Sequence, residues 1–474
     1  MKILEKIKQA KKVHILGVAG QEGRAVFDYL LSLDIDIVGH VSVKQEDFKN
    51  TFASFADAYS EEETRNMTEK FLSSGKMVFG DDYAKGIKAG DIVIAPQAYR
   101  RLALNASIIE MREKQEITLI QAIELAFEIT NSKTIGVAGT AGKSTATALI
   151  GNILQTAGVP FYFSGNDRDN KWDFFALEAL PKNGYALFEI SHRHLMDLKQ
   201  SPHIAVLTSL FPHHLDDAGG SYENYIKIET SIYRFQTEKD IAIINRSLFE
   251  DETIKKTEEI RGKLLTYGGD ILEAEYNGRF AKIALSDFKL PGKHNIQNAL
   301  GAMYAGLVAG LPVSAVEDGI KNFHGLKYRQ EFIGEYKGVR IINDGKSSDP
   351  LTVVEAVKAI PNIVALIVGG IREGFLEGDF LPLGETVIKY GVKKVLVFGS
   401  SKKEIVNDLA VTGVSAELCL DLQDAVIKAK ALAKTGETIV FSPGCQSFDE
   451  FKDYRHKAST FNSLVQQIFS SIDS

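Results

Sequence analysis

The sequence predicts an α/β protein of three consecutive domains: a Rossmann-like domain over residues 1–130, a central domain with a mostly parallel sheet over 131–325, and a second Rossmann-like domain over 326–474. Three observations carry this reading. A chain of 474 residues corresponds to about three domains of typical size. Short apolar segments of strand length alternate with helical segments, the rhythm of a parallel sheet covered on both faces. One of those strands, near residue 134, runs directly into a glycine-rich turn that opens a helix.

In the first domain, residues 12–17 form an apolar strand, Gly17, Gly20 and Gly23 punctuate a turn, a helix runs to Leu31, and residues 35–41 form a second strand. That is a βαβ opening. The glycine spacing is G-x-x-G-x-x-G, whereas the dinucleotide fingerprint is G-x-G-x-x-G, so a structural turn and a ligand-binding turn both stay open. Residues 44–90 are polar, with helical spacing around Phe52, Phe55, Ala58 and Tyr59, and read as surface helices and loops. A strand over 91–96, a helix over 102–114, a strand over 117–120 and a helix over 121–129 complete the domain.

The central domain opens on Thr134-Ile-Gly-Val-Ala-Gly139-Thr140-Ala141-Gly142-Lys143-Ser144-Thr145. Glycines let backbone N–H groups close around phosphate oxygens, a lysine after the last glycine reaches the β and γ phosphates, and the Ser144 hydroxyl can ligate Mg²⁺. The following helix, read over 146–155, aims the positive end of its dipole at the same place. This is the P-loop of an ATPase-type domain, in the variant order G-x-x-G-T-x-G-K-S, with Val137 where the broad pattern has glycine. Strands over 185–190, 204–208 and 241–245 follow, and ligands gather beyond the carboxyl ends of such strands. Glu189 and the pair His213-His214 stand at those ends. A composition change at 290–299 starts a helix of small and apolar residues, and residues 323–332 link to the third domain, whose strands are read over 339–343, 363–370, 394–399 and 438–442.

Composition bounds the partners. The chain is 45% hydrophobic and 25% charged, with a formal net charge of −7, which argues against a nucleic-acid partner. Its two cysteines, Cys419 and Cys445, have no metal-binding spacing and suit a reducing compartment. The amino terminus lacks a continuous apolar segment, and no run approaches the roughly 20 residues needed to cross a bilayer. A soluble, cytoplasmic protein without membrane insertion, working as a monomer on small molecules, is expected.

Several stretches, in this order, resemble the Mur ligase family: Gly139–Thr145, Gly165-Asn166, Leu187-Phe-Glu-Ile-Ser-His192, His214-Leu-Asp216, Leu290-Pro-Gly-Lys-His-Asn-Ile-Gln-Asn298, Arg329-Gln-Glu331, Asn343-Asp-Gly-Lys-Ser-Ser348 and Ser442-Pro-Gly-Cys-Gln-Ser-Phe-Asp-Glu-Phe451. The resemblance runs from residue 131 to about 465 and is strongest to the branch that adds D-glutamate to UDP-N-acetylmuramoyl-L-alanine. It implies an ATP- and Mg²⁺-dependent ligase in which a substrate carboxylate attacks the γ-phosphate and an amine displaces the resulting acyl phosphate. It assigns catalysis to Lys143, His214 and Lys346. ATP falls to Gly139, Thr140, Ala141, Gly142, Lys143, Ser144, Thr145, Asn295, Asn298, Arg329 and Asp344, and metal to Ser144, Glu189, His214 and Glu229. Nucleotide-sugar peptide and amino acid fall to Asn166, Ser191, Ser348, Arg372, Ser447 and Tyr454. Three positions depart from the family pattern. Arg372 lies one place early for the basic residue that holds the incoming carboxylate, Tyr454 replaces a phenylalanine, and Glu229 stands where the family carbamylates a lysine. Lys227, two residues before Glu229, should point away from it on a helix.

Overall fold

Three mainly parallel sheets succeed one another along the chain, each assembled from the short apolar segments that the sequence sets between helices. The computed structural model describes residues 3–33, 35–55, 58–166, 170–213, 215–250, 260–290, 292–371 and 378–470. The first sheet contains β1 (Val13–Leu16), β2 (Ile37–Val41), β3 (Met77–Phe79), β4 (Ile92–Ala95) and β5 (Thr118–Gln121), ordered β3-β2-β1-β4-β5 with every pair parallel. Strand β3 corrects the reading of residues 44–90 as helices and loops alone. It is a three-residue edge strand, too short for a period of two to show. The helices expected there are present as Phe48–Ser54 and Glu61–Ser73. The second is fixed at its start by a capping box between Ser60 and Glu63, which satisfies two orphan amides reciprocally. The helix expected over 102–114 is shorter, Ala106–Glu113, and follows two 3-10 turns.

The second sheet contains β6 (Lys133–Ala138), β7 (Phe161–Gly165), β8 (Tyr185–Glu189), β9 (Ile204–Leu207), β10 (Ile241–Asn245) and β11 (Lys263–Tyr267), ordered β11-β10-β9-β6-β8-β7 and parallel throughout. Strand order reverses at β6, so the carboxyl ends of β6, β8 and β9 flank a topological switch point. The outer strands β7 and β11 were not legible as strands. A hairpin of β12 (Leu272–Tyr276) and β13 (Arg279–Ile283) follows. Asn277 and Gly278 close it with φ of +50° and +73°, as a two-residue type I′ turn requires.

The third sheet contains β14 (Glu331–Tyr336), β15 (Val339–Asn343), β16 (Ile363–Gly369), β17 (Lys394–Phe398), β18 (Ala416–Leu418) and β19 (Thr438–Phe441), ordered β14-β15-β19-β16-β17-β18. Only β14 is antiparallel to its neighbour. Strand β16 is buried along its whole length, the mark of a strand covered on both faces. Its Leu366 and Val368 pack with Val353 and Leu383 on one side, while Ala365 and Ile367 pack with Phe398, Phe441 and Phe461 on the other.

By compactness the chain forms two units, Met1–Phe288 with Ile296–Asn322, and Lys289–Asn295 with Phe323–Ser474. Within the first unit one apolar core runs through the first two sheets. Tyr29 of the first sheet's layer lies 5.8 Å, ring to ring, from Phe174 of the second, and Trp172 continues the contact to Phe188 at 5.9 Å. A polar chain is buried in the first sheet. His14 on β1 and His40 on β2 approach to 2.8 Å between Nδ1 and Nε2, His14 Nε2 lies 3.1 Å from Asp91 Oδ2, and His40 Nδ1 bonds the Tyr83 carbonyl. Burial lowers the pKa of both rings, that of His40 to about 4. Among the described residues no helix is long and apolar enough to cross a membrane.

Candidate active site

The second sheet delivers the glycine-rich loop to its switch point. After β6 the backbone turns through Gly139 (φ +127°) and Gly142 (φ +86°) into the helix Lys143–Thr156. A Cβ at Gly139 would lie 2.4 Å from Thr208 Oγ1, and one at Gly142 would lie 2.2 Å from Asn298 Oδ1, so both sites exclude any side chain. The loop is held from below and from the β9 side. Gly139 N–H donates to Glu229 Oε2 at 3.0 Å, Thr140 N–H to the Ser209 carbonyl at 2.8 Å, and Ala141 N–H to Ser209 Oγ at 2.9 Å. Lys143 Nζ donates to the carbonyls of Gly139 at 2.6 Å and Thr140 at 3.1 Å, so its ammonium lies across the loop beside the first-turn amides. Ser144 and Thr145 occupy that first turn.

Glu189 closes β8, directly beside Val137 of β6. It is 2% exposed. Its Oε1 accepts from Asn166 Nδ2 at 3.2 Å, while its Oε2 is buried without a hydrogen-bond partner among the described residues. Such an oxygen is costly to bury unless a ligand meets it. A hard, anionic donor of this kind fits Mg²⁺. The amide network continues from Asn166. Gln97 Nε2 donates to Asn166 Oδ1 at 3.2 Å, and Ser191 Oγ donates to Gln97 Oε1. Ser191 also caps the short helix His192–Leu195 by accepting from His194 N–H. Asn166, expected to face substrate, is thereby tied to Glu189 directly, and Ser191 through Gln97 and Asn166. Among the described residues no cluster of three or more histidine, cysteine or carboxylate groups has metal-binding geometry.

Glu229 is brought under the P-loop by the helix Tyr222–Thr230, whose N-cap Ser221 accepts from Asn224 N–H. It is 0% exposed. Oε2 holds Gly139 N–H, and Oε1 accepts from the Tyr225 hydroxyl at 2.8 Å. Tyr225 Oη also lies 3.2 Å from Thr140 Oγ1. Burial raises the Glu229 pKa, and the Lys143 charge opposes that shift. Lys227 is exposed and paired with Glu223, on the far side of the helix as its spacing requires.

The second unit gathers a separate set beyond the carboxyl ends of β15 and β19. Asp344 Oδ2 accepts from the Ser442 hydroxyl at 2.7 Å and Oδ1 from Gln330 N–H at 3.1 Å. Burial pushes its pKa up to about 7, with the Arg329 charge opposing. Lys346 Nζ lies 5.5 Å from the Tyr454 ring centroid, within cation–π range. Ser348 is exposed just before the N-cap Asp349 of the helix Pro350–Ala359, and Ser447 is buried in the loop after β19. Asn295 and Asn298 sit one turn apart on the helix Lys293–Val308, both buried. His214 and Arg372 lie outside the described residues.

Gln97, Thr208, Ser209 and Tyr225 were missed. Tyr225 was within reach of sequence reasoning, since it precedes Glu229 by four places on a helix and must share its face. Gln97 meets Ser191 across 94 positions, and no local pattern announces that.

Comparison with known proteins gives the geometry a lineage. Residues 137–306 match the Mur ligase middle domain. The UDP-N-acetylmuramoylalanine--D-glutamate ligase of Symbiobacterium thermophilum is 30% identical over 411 residues, covering 83% of this chain and 87% of its own. That of Caldanaerobacter subterraneus subsp. tengcongensis is 27% identical over 469 residues, covering 97% and 98%. Among solved structures, the UDP-N-acetylmuramate-alanine ligase of Thermotoga maritima shares the fold with a TM-score of 0.57 at 18% identity, over 96% of this chain and 99% of its own. The likeness thus extends through all three sheets, well beyond the P-loop, and the chain belongs to the Mur ligase family.

Proposed function

We propose that this Mur ligase uses ATP to join D-glutamate to the carboxylate of UDP-N-acetylmuramoyl-L-alanine, releasing ADP and phosphate, in the assembly of peptidoglycan precursors. The observation that carries the reaction class is the pairing, on adjacent strands at one switch point, of a glycine-forced P-loop with a buried carboxylate oxygen of Glu189 that no group among the described residues meets. The named relatives support the choice of substrates.

In this reading the substrate carboxylate attacks the γ-phosphate of ATP, giving an acyl phosphate and ADP, and the amine of the incoming amino acid then displaces phosphate. Lys143 exchanges two neutral carbonyls for phosphate oxygens, trading ordinary hydrogen bonds for charge-assisted ones. The first-turn amides of its helix add their dipole. Ser144 and Glu189, with His214 for a second ion, would hold Mg²⁺, which when bound neutralises charge on the transferring phosphoryl group. Glu229 supplies the permanent carboxylate that the family otherwise obtains by carbamylating a lysine, and it acts on the phosphate site through the Gly139 N–H it holds. Asn166 and Ser191 position the nucleotide-sugar peptide, whose UDP end falls to residues 1–130.

Arg329, Asp344 and Lys346 serve the nucleotide and acyl phosphate. Ser348, Arg372, Ser447 and Tyr454 receive the amino acid, and Asn295 with Asn298 border the adenine. The enzyme works as a monomer in the cytoplasm. Phosphate release with ATP, Mg²⁺ and UDP-N-acetylmuramoyl-L-alanine, screened across amino acids, tests the assignment. D-glutamate is expected to give the strongest stimulation, and a screen in which only neutral or basic amino acids stimulate release would overturn it.

A further inference from the structure

The helix Tyr454–Ser470 carries a lysine into the interior of the second unit. Lys457 is 0% exposed. Its Nζ lies 3.0 Å from the Cys445 carbonyl oxygen, 3.2 Å from that of Gln446 and 3.4 Å from that of Gly369. Three ammonium hydrogens meet three acceptors, which exhausts the donors of the side chain. The acceptors come from two loops: Gly369 ends β16, whereas Cys445 and Gln446 follow β19. Those loops are also zipped together directly. Ile371 and Gln446 exchange backbone hydrogen bonds of 3.1 Å in both directions, and Gly369 N–H donates to the Pro443 carbonyl at 2.9 Å. A Cβ on Gly370 (φ +140°) would stand 3.1 Å from Lys457 Nζ and 2.2 Å from the Gln446 oxygen, so the glycine pair after β16 leaves the room that the ammonium occupies.

We propose that Lys457 is a positioning residue, whose ammonium ties the loop after β19 to the end of β16 and so fixes the place of Ser447 for the incoming amino acid, without touching that amino acid. The proposal rests on the assignment of Ser447 to the amino-acid site. Only a charged group with three hydrogens can serve three carbonyls converging on one point. An apolar chain of equal volume fills the space and takes a donor away from each of the three. The titratable groups facing Lys457 are Cys445, Asp449 and Glu450, and burial outweighs them, lowering its pKa to about 8. Above that pH the neutral amine has two hydrogens for three carbonyls.

The test compares the parent enzyme with Lys457→Met and Lys457→Arg. With the methionine variant, KM for the amino acid should rise about tenfold while KM for ATP and for the nucleotide-sugar peptide stay within about twofold. Hydrogen-exchange protection of the Ile371 and Gln446 amides should fall in parallel. Arginine should restore both. In the parent, KM for the amino acid should rise through about pH 8, and the arginine variant should lose that rise because its guanidinium stays charged. A methionine variant with unchanged amino-acid KM and unchanged protection overturns the proposal, as does a uniform rise in all three KM values. If methionine prevents folding, the parent and Lys457→Arg decide: a parent KM flat from pH 7 to 9, or one that rises identically in both, overturns it. Should the parent show no amino-acid-dependent phosphate release, the assignment of function fails, and the amide protection alone judges the clamp.

Discussion

Glu189 and Glu229 are buried carboxylates flanking the same glycine-rich loop, one at the end of β8 and one on the helix beneath, and they are wired in opposite ways. Glu229 has a protein donor on each oxygen, Gly139 N–H and the Tyr225 hydroxyl. Glu189 has one oxygen held by Asn166 and the other without a partner among the described residues. Burial is nearly equal, so burial does not separate their roles; the count of satisfied lone pairs does. A carboxylate with both oxygens bonded braces the loop, and one with an orphaned oxygen addresses a ligand. Asp344 in the second unit is of the bracing kind, bonded by Ser442 and Gln330.

The largest effect should come from removing the cation of the loop itself, Lys143. Lys143→Ala should lower kcat about 10³-fold or more with little change in the thermal midpoint, because its side chain gives up hydrogen bonds to two neutral loop carbonyls. Steady-state phosphate release and differential scanning calorimetry measure the two quantities. Glu189→Gln should cost about 10²–10³-fold in kcat and leave stability unchanged, since it loses no protein contact at the orphaned oxygen. A drop in stability as large as that of a brace would erase the contrast.

Glu229 sharpens the comparison from the other side. Glutamine keeps an acceptor for Gly139 N–H, and alanine does not. Glu229→Ala should therefore destabilise the first unit by about 1–3 kcal/mol and cut turnover about 100-fold, with Glu229→Gln retaining most of the stability and more of the activity. The parent should be indifferent to bicarbonate. Full activity of Glu229→Ala, or strong bicarbonate dependence of the parent, would show that this carboxylate does not replace a carbamate.

The smallest effect is the pH-dependent part of the apo protein's stability that Asp344 controls. Its folded pKa of about 7 lies above the ordinary value of 3.8. Its stabilising contribution is therefore fully present below about pH 4 and is lost as pH rises to about 7. Asp344→Asn should flatten that part of the pH–stability curve and raise the apo protein's stability near pH 8. A denaturant series from pH 4 to 8 on the parent and the variant measures it, and parallel curves would remove Asp344 from the bracing class.

Much of this arrangement was legible because phosphate chemistry and tight backbone turns leave few residue choices. Gly139 and Gly142 could be read because no side chain fits there, and the strands of the sheet centres because burial on both faces writes continuous apolar runs. The edge strands β3, β7 and β11 were not legible, since half-exposed segments carry mixed composition. The position of Glu229 could be read from helical spacing and resemblance. Its wiring could not, because that depends on how a helix from residue 222 onward meets a loop at 139. Lys457 is harder still: in Tyr454-Arg455-His456-Lys457 it looks like one more solvated base, and only the convergence of two loops from 88 and 12 positions away makes it an interior cation.

The histidine pair of the first sheet fixes a hydrogen inventory. The Tyr83 carbonyl can only accept, so His40 Nδ1 carries a hydrogen and, with both rings neutral, His40 Nε2 takes the second from His14 Nδ1. A further proton has room only between His14 Nε2 and Asp91, because one on His40 Nε2 would set N–H against N–H between the rings. His40's pKa is depressed from 6.5 to about 4, so what it contributes to stability is present above about pH 6.5 and lost as pH falls through about 4. Asp344 responds with the reverse sign over nearly the same interval, so acidification loosens the sheet at one end of the chain while it tightens the sheet at the other.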